Sequence, residues 1–241
     1  PGVKIGAYSV IGENVRIGKD TQVDSHVVVE GWTDVGERCH LFPFVAIGTA
    51  PQHMRYRGQP TRVIIGNENV IREFVTIHRA TAEGGGITTL GQGNFIMAYS
   101  HIAHDCKVGN QVIMANASTL AGHIEIEDFA IVGGLVALHQ FVRVGCYSII
   151  GGASGIPKDI PPYMCAAGNR AKLFGLNTVG LKRHRFSEAT VTALKQAYRI
   201  LFRSHLILNK ALEKVEAEVP QLPEIRHLLD FLKSSKRGVC R

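Results

Sequence analysis

Large rings are scarce in this sequence: aromatic residues make up 7% of 241, with one tryptophan. A core built without them must be filled by Ile, Val and Leu, which suits a thin interior. No stretch approaches the roughly 18 apolar residues of a membrane span, and no signal peptide is visible, so no stable membrane insertion is expected. Cysteine is sparse and unordered. Cys39, Cys106, Cys146, Cys165 and Cys240 form an odd set without a CxxC pair, which argues against a disulfide framework and predicts reduced thiols in a cytoplasmic protein, the first three as core residues of the repeat described next. The chain opens at Pro1 rather than methionine, so part of a first coil is expected to precede it.

The two ordinary periodicities are also missing. A surface helix repeats near 3.6 residues and a half-buried strand at 2, but here aliphatic residues recur every six. The series runs through Ile5, Ile11, Ile17, Val23, Val29, Val35, Leu41 and Ile47, resumes at Ile65, Ile71 and Ile77, and continues from Leu90, Ile96 and Ile102 to Ile150 and Ile156. Residues two before each anchor are mostly small or β-branched, such as Val27, Val45, Ser100 and Ser118. A six-residue period fits a parallel β-helix of hexapeptides, in which each short strand points one aliphatic side chain inward before the chain turns a corner. Glycine after many anchors suits corners where a side chain would be crowded.

Two segments break the rhythm. Residues 49–60 are polar with two prolines and cannot fill anchor positions, so they form an external loop, where binding groups are often carried. Residues 79–89 contain Gly84-Gly85-Gly86; lacking the strand, lysine and helix of a nucleotide loop, they read as a flexible turn. The net charge of +7 favours an acidic partner, whether phosphate, nucleic acid or an acidic protein.

If three hexapeptides make one coil, residues 18 apart stack about 4.8 Å from one another. Ile102, Leu120, Leu138 and Ile156 then share a face, and looping out seven residues before Leu90 brings Ile77 onto it. Around these anchors sit His78, His101, His104, His123 and His139, five of the eleven histidines, which places a site on this ridge. A zinc centre of the kind found in β-helix carbonic anhydrases remains an alternative, although no third ligand stands at a favourable offset beside His101 and His104. Acid–base work fits better: an imidazole takes a hydroxyl proton near neutral pH, and Asp105 can orient the His104 ring. Cys106 falls at an inward position, so direct transfer to a hydroxyl is favoured over a covalent intermediate. Gly122, one coil above His104, offers an unshielded backbone N–H for an oxyanion.

The strings TIHRAT (76–81), HIAHDCKVGN (101–110), TLAGH (119–123), LHQF (138–141), GGASG (151–155), PPY (161–163) and FGLNTVGLKR (174–183) resemble the UDP-N-acetylglucosamine O-acyltransferases that begin lipid A synthesis. The resemblance covers essentially the whole chain. It implies a mainly β fold, a left-handed parallel β-helix of hexapeptide repeats (1–170) with a C-terminal α-helical domain (171–241), assembled as a cytoplasmic homotrimer with sites between subunits. It also implies transfer of an (R)-3-hydroxyacyl chain from acyl carrier protein to the sugar 3-position without a cofactor, a resident metal or nucleic acid. Carried over by motif, His104 is the general base, Asp105 its partner and Gly122 the oxyanion donor. His101, His123, His139 and Gln140 lie toward donor or sugar, Asn177 and Arg183 toward the nucleotide, and His78 and Arg55 near the sugar or its phosphates. Gly152 matches the position limiting acyl-chain length, and glycine there predicts a longer chain. The runner-up reading is an acetyl-coenzyme A-dependent nucleotide-sugar transferase; a purely structural hexapeptide subunit is a third.

Two departures from the family pattern stand out. His53 follows Gln52 where many relatives carry an aspartate, which opens the choice between a 3-hydroxyl and a 3-amino acceptor. Val179 and His184 replace an acid and a second arginine, which shifts nucleotide binding onto Arg183. Beyond Ser187, a helix N-cap candidate, the period changes to three and four: Val191, Leu194, Tyr198 and Leu201 form one helical face, a second apolar run follows Leu206, and 225–232 makes a last helix. This tail is basic, with Arg199, Arg203, Lys236 and Arg237 among its cations, and reads as a solenoid cap or a docking face for the acidic carrier.

Overall fold

The computed structural model describes residues 1–241. Twenty-three short strands, from Lys4–Ile5 to Gly155–Ile156, are dealt in turn to three parallel sheets. The result is a left-handed parallel β-helix of triangular section. Its register is the one the hexads dictate. Ile102 pairs with Leu120, Leu120 with Leu138 and Leu138 with Ile156, each 18 residues on. Ile77 pairs with Ile102, so seven residues do loop out between them. Ile47 pairs with Ile77, which places a larger excursion in the 49–60 segment.

The anchors fill the axis: Ile47, Ile71, Ile77, Ile96, Ile102 and Leu120 have no exposed surface. Positions two residues earlier are buried as well, and where they are polar they bond to one another. The Ser100 and Ser118 hydroxyls lie 3.2 Å apart, and Asn94 donates to Asn69 Oδ1 at 2.9 Å while Asn69 donates to the Gly91 carbonyl at 2.8 Å. Coil-to-coil polar ladders thus replace the bonds these groups would make with water.

Glycine at the position after the anchor answers to crowding between coils. A Cβ on Gly36 would lie 2.5 Å from the Gly66 carbonyl carbon. The left-handed backbone conformation falls two residues later, on non-glycine residues: Tyr99 (φ 64°), Asp105 (61°), His123 (62°) and Phe141 (65°) among them. Stacking between coils helps hold this costly conformation. Tyr8, His26, Phe44, Phe74 and Tyr99 form one ladder with rings 4.8 to 5.1 Å apart. The three edges of the prism are called below the Tyr99, Asp105 and Tyr147 corners; they follow the sheets of Ile96, Ile102 and Val144 respectively.

At the far end, Met164–Ala167 continues one sheet and pairs antiparallel with Lys172–Leu176. Four helices follow: α1 (Thr178–Arg183), α2 (Glu188–Arg203), α3 (Leu208–Glu218) and α4 (Pro223–Lys233). Ser187 caps α2 by accepting from Thr190 N at 3.0 Å, and Pro223 opens α4, where its missing N–H costs nothing. The hairpin and α1 were not anticipated, because five residues of strand and six of helix are too short to show a period. The chain then returns to the solenoid: Asp159 N donates to Gly238 O, Cys240 N to Asp159 O, and Ser235 Oγ to Asp159 Oδ2 at 2.7 Å. No helix is long and apolar enough to cross a membrane. Cys39, Cys106 and Cys240 are buried thiols, while Cys146, expected inside, stands half-buried at a corner because it follows its anchor by two residues.

Candidate active site

His104 and Asp105 leave the strand His101–Ile102 at the Asp105 corner. Turning into the left-handed region at Asp105 brings its carboxylate back to its neighbour's ring, with Oδ2 2.7 Å from His104 Nδ1. The carboxylate side chain is fully buried. It also accepts from Thr81 N at 3.1 and 3.2 Å and from Thr81 Oγ1 at 2.7 Å, while Asp105 N donates to Thr88 Oγ1 at 2.9 Å. Burial pushes this carboxyl up, but the hydrogen bonds from His104 and Thr81 outweigh it and hold the pKa below its ordinary value. With Asp105 a carboxylate, Nδ1 of His104 is the donor, and in the neutral ring Nε2 is the nitrogen left to accept a proton.

One coil above, the polypeptide meets the same ring. His123 N donates to His104 O at 3.0 Å, and a Cβ on Gly122 would lie 2.5 Å from His104 Cε1 and 2.8 Å from Nε2. Gly122 therefore presents bare backbone to the imidazole, and its N–H has no acceptor within the chain. The offset of 18 read from the hexads is what creates this contact.

The histidine ridge is real but regrouped. His53 from the 49–60 loop meets His104 edge-on at 5.2 Å, His123 also meets it edge-on at 5.2 Å, and Phe141 stacks on His123 at 4.4 Å. His78 and His101 make a separate edge-to-face pair at 4.9 Å, with Thr76 Oγ1 2.7 Å from His101 Nδ1. His78 is buried and its Nδ1 has no partner; burial, then His101 and His104, lowers its pKa to about 4. Burial also lowers His101 and His123. His139 and Gln140 are exposed on the next coil, with His139 Nδ1 turned to the Gln140 carbonyl at 3.2 Å, so His139 does not join the cluster and His53 takes its place. Gln52 and Arg55 are exposed on the same loop, and Arg55 approaches Glu83 at 4.0 Å.

Cys106 is closed off at 0% exposure, its Sγ 3.1 Å from the Ala121 carbonyl, and burial pushes the thiol up to about 12. A thiol so hard to ionise is core rather than nucleophile. His104, Asp105 and His123 do bring ligand atoms within 4.8 Å of one another, a third member the register had not revealed. Both Asp105 oxygens are already held by Thr81 and one of them by His104, which is the environment of a ring-orienting carboxylate.

Some expected site residues lie elsewhere within one chain. Asn177 is 7% exposed at the Tyr147 corner, where its side chain caps α1 through Gly180 N and donates to the Tyr147 carbonyl at 2.9 Å. Arg183 is exposed in the last turn of α1, next to His184, which packs on Phe129 and Tyr147 at 5.0 Å. Gly152 follows Ile149–Ile150, in the sheet of Ile96, and so stands exposed at the Tyr99 corner. The catalytic, nucleotide and chain-length candidates thus occupy three different corners. Beside His123, a cavity of about 550 Å³ extends past Phe141 and Arg143 to Lys236 and Arg237 of the returning tail.

Sequence reasoning missed Thr81, Thr88 and Gly84. Thr81 was inside the TIHRAT string, but its contact with Asp105 comes from the looped-out segment, which has no register to read. The triglycine turn is likewise more than a flexible link: a Cβ on Gly84 would lie 2.2 Å from Asp105 Cγ, so the loop packs directly on the carboxylate.

Comparisons with known proteins identify the family and the fold. Residues 159–240 match the family model described as UDP-N-acetylglucosamine O-acyltransferase, domain 2, and residues 87–122 match the bacterial transferase hexapeptide model. The chain is 59% identical over 239 residues to the acyl-[acyl-carrier-protein]–UDP-N-acetylglucosamine O-acyltransferase of Thermodesulfovibrio yellowstonii, covering 99% of this chain and 93% of the relative. It is 56% identical over 240 residues to the protein of the same name from Syntrophobacter fumaroxidans, with the same coverage. Among solved structures, LpxA from Acinetobacter baumannii superposes with a TM-score of 0.97 at 43% identity, covering 99% of this chain and 93% of that one.

Proposed function

The chain belongs to the UDP-N-acetylglucosamine O-acyltransferase family, and from that premise we propose that it transfers an (R)-3-hydroxyacyl group from acyl carrier protein to the 3-position of UDP-N-acetylglucosamine, or of its 3-amino analogue, in the cytoplasm at the first step of lipid A synthesis. The solenoid, 1–170, is the acyltransferase domain and 171–241 the helical domain. The observation that carries the mechanism is the stack of Asp105, His104 and Gly122, with Nδ1 held at 2.7 Å and bare backbone against the outer edge of the ring.

In this mechanism His104 Nε2 takes the proton of the sugar hydroxyl as its oxygen attacks the thioester carbonyl. The new C–O bond forms, the carbonyl electrons move onto oxygen, and the Gly122 N–H faces that oxyanion. Collapse breaks the C–S bond, and the His104 imidazolium, stabilised by Asp105, returns its proton to the carrier's thiol. His53, edge-on to the base, lies where it meets the acceptor's 3-substituent. Lys236 and Arg237, at the end of the cavity beside His123, face the acidic carrier or the phosphate of its arm.

The three-corner distribution supports a homotrimer. Asn177, Arg183 and Gly152 reach His104 only if neighbouring copies bring their Tyr147 and Tyr99 corners against it, so sites lie between subunits.

The test is mass spectrometry of the product formed from UDP-N-acetylglucosamine and from its 3-amino analogue, each with hydroxyacyl carriers and with coenzyme A thioesters. The expected result is a carrier-dependent 3-acyl product that His104→Ala forms at least about a hundredfold more slowly. Undiminished activity in His104→Ala, or a preference for acetyl-coenzyme A, overturns the proposal.

A further inference from the structure

A cavity of about 850 Å³ lies away from His104, where α4 meets the flank of the solenoid. Three chemically able side chains meet on its wall, and the acyl-transfer mechanism uses none of them. Glu127 follows the anchor Ile126, and Cys146 stands two residues after the anchor Val144, so the coil repeat stacks one on the other. The Cys146 N–H donates to Glu127 Oε2 at 2.8 Å. His227, one turn into α4, reaches down to the same carboxylate, with Nε2 2.8 Å from Oε2. Cys146 Sγ, the His227 ring nitrogen and the Glu127 carboxylate oxygen all lie within 4.8 Å of one another. All three are partly open to solvent, so an ion can enter from the cavity.

We propose that Glu127, Cys146 and His227 form a binding site for a borderline divalent cation of the zinc class, which clasps α4 to the solenoid. Thiolate, imidazole and carboxylate are ligands of tetrahedral zinc. Hard cations such as magnesium and calcium instead require six or more oxygen ligands, which a cluster with one carboxylate does not supply. Ligand separations of 4.8 Å or less need only small side-chain rotations to reach one ion at about 2.0 to 2.3 Å. The thiol proton is released to water on binding, and the fourth position faces the cavity. Two ligands come from adjacent coils and the third from a helix about 100 residues later, so the ion adds to the hydrogen bonds, such as that of Arg143 to Ser234 Oγ, that already join α4 to the solenoid. Within one chain the three ligands stand apart from His104: Glu127 and Cys146 lie at the Tyr147 corner, and none of the three takes part in the proton transfers assigned to His104.

The experiment titrates the full-length, metal-stripped protein with Co²⁺ and then Zn²⁺. The expected result is one equivalent of Co²⁺ giving a thiolate-to-cobalt charge-transfer band, displaced by Zn²⁺, together with a thermal midpoint that rises with zinc. Cys146→Ser should abolish the band, and His227→Gln should weaken binding by at least the roughly tenfold that even an outer-sphere partner contributes. His104→Ala should bind like the unmodified protein, which separates this site from the His104, Asp105 and His123 cluster. Absence of a thiolate band, its persistence in Cys146→Ser, or its loss in His104→Ala overturns the proposal. If Cys146→Ser folds poorly by circular dichroism, His227→Gln, altered on the outside of a helix, decides alone: unchanged affinity there also overturns it.

Discussion

Asp105 occupies a backbone conformation most residues avoid, φ 61°, and does so with a fully buried carboxylate. Aspartate tolerates the left-handed region better than most residues, and the Thr81 bonds keep its charge satisfied. The tightest constraint falls on Gly122. Replacing it by alanine sets a methyl group 2.5 Å from His104 Cε1, so the ring must leave its bond to Asp105 while the solenoid core is untouched. Gly122→Ala is expected to fold with an unchanged unfolding midpoint and to lose at least about a hundredfold in kcat; steady-state kinetics beside thermal unfolding checks both halves. This pairing was legible in the sequence because 104 and 122 are one coil apart. Thr81 and Gly84 were not, because they approach Asp105 from a segment that has left the repeat, and His53 reaches the base by the same kind of route.

At the scale of elements, the strands are two to five residues long and hold only as members of sheets, so the six-residue period carried almost all of their information. The helices α2, α3 and α4 were also legible, from apolar spacing and, for α2, Ser187. The element that escaped was α1, with the hairpin before it, and its integrity rests on one side chain. Asn177 Oδ1 accepts from Gly180 N at 3.0 Å while Nδ2 bonds the Tyr147 carbonyl at 2.9 Å. Asn177→Ala removes a cap and leaves a partly buried carbonyl without this donor, so a stability loss of about 1–3 kcal/mol is expected by denaturant unfolding. Because α1 carries Arg183, the same change is expected to raise KM for the nucleotide sugar.

The whole molecule should answer to acid through His78. Its pKa is about 4 in the fold, against an ordinary value near 6.5, because it is buried with Nδ1 unpartnered beside His101 and His104. Between those values the unfolded chain binds a proton that the folded chain refuses. Stability from this residue is therefore complete above about pH 6.5 and lost as pH falls toward 4, on the order of 3 kcal/mol in all. His78→Asn is expected to flatten the fall in unfolding free energy across that window, leaving a smaller slope from His101, whose pKa is lowered in the same sense. Denaturant melts at stepped pH check this, and an unchanged slope counts against it. The pairing of strands 18 residues apart has a further consequence, for insertions and deletions. Six residues added between Phe141 and Gly152 would keep every later anchor inside the prism, yet would turn Gly152 by a third of a revolution onto another edge. Eighteen would return it to its own edge, about 4.8 Å farther along the axis. The scaffold is thus indifferent to steps of one hexad, whereas a groove running along one edge can be lengthened or shortened only by whole turns.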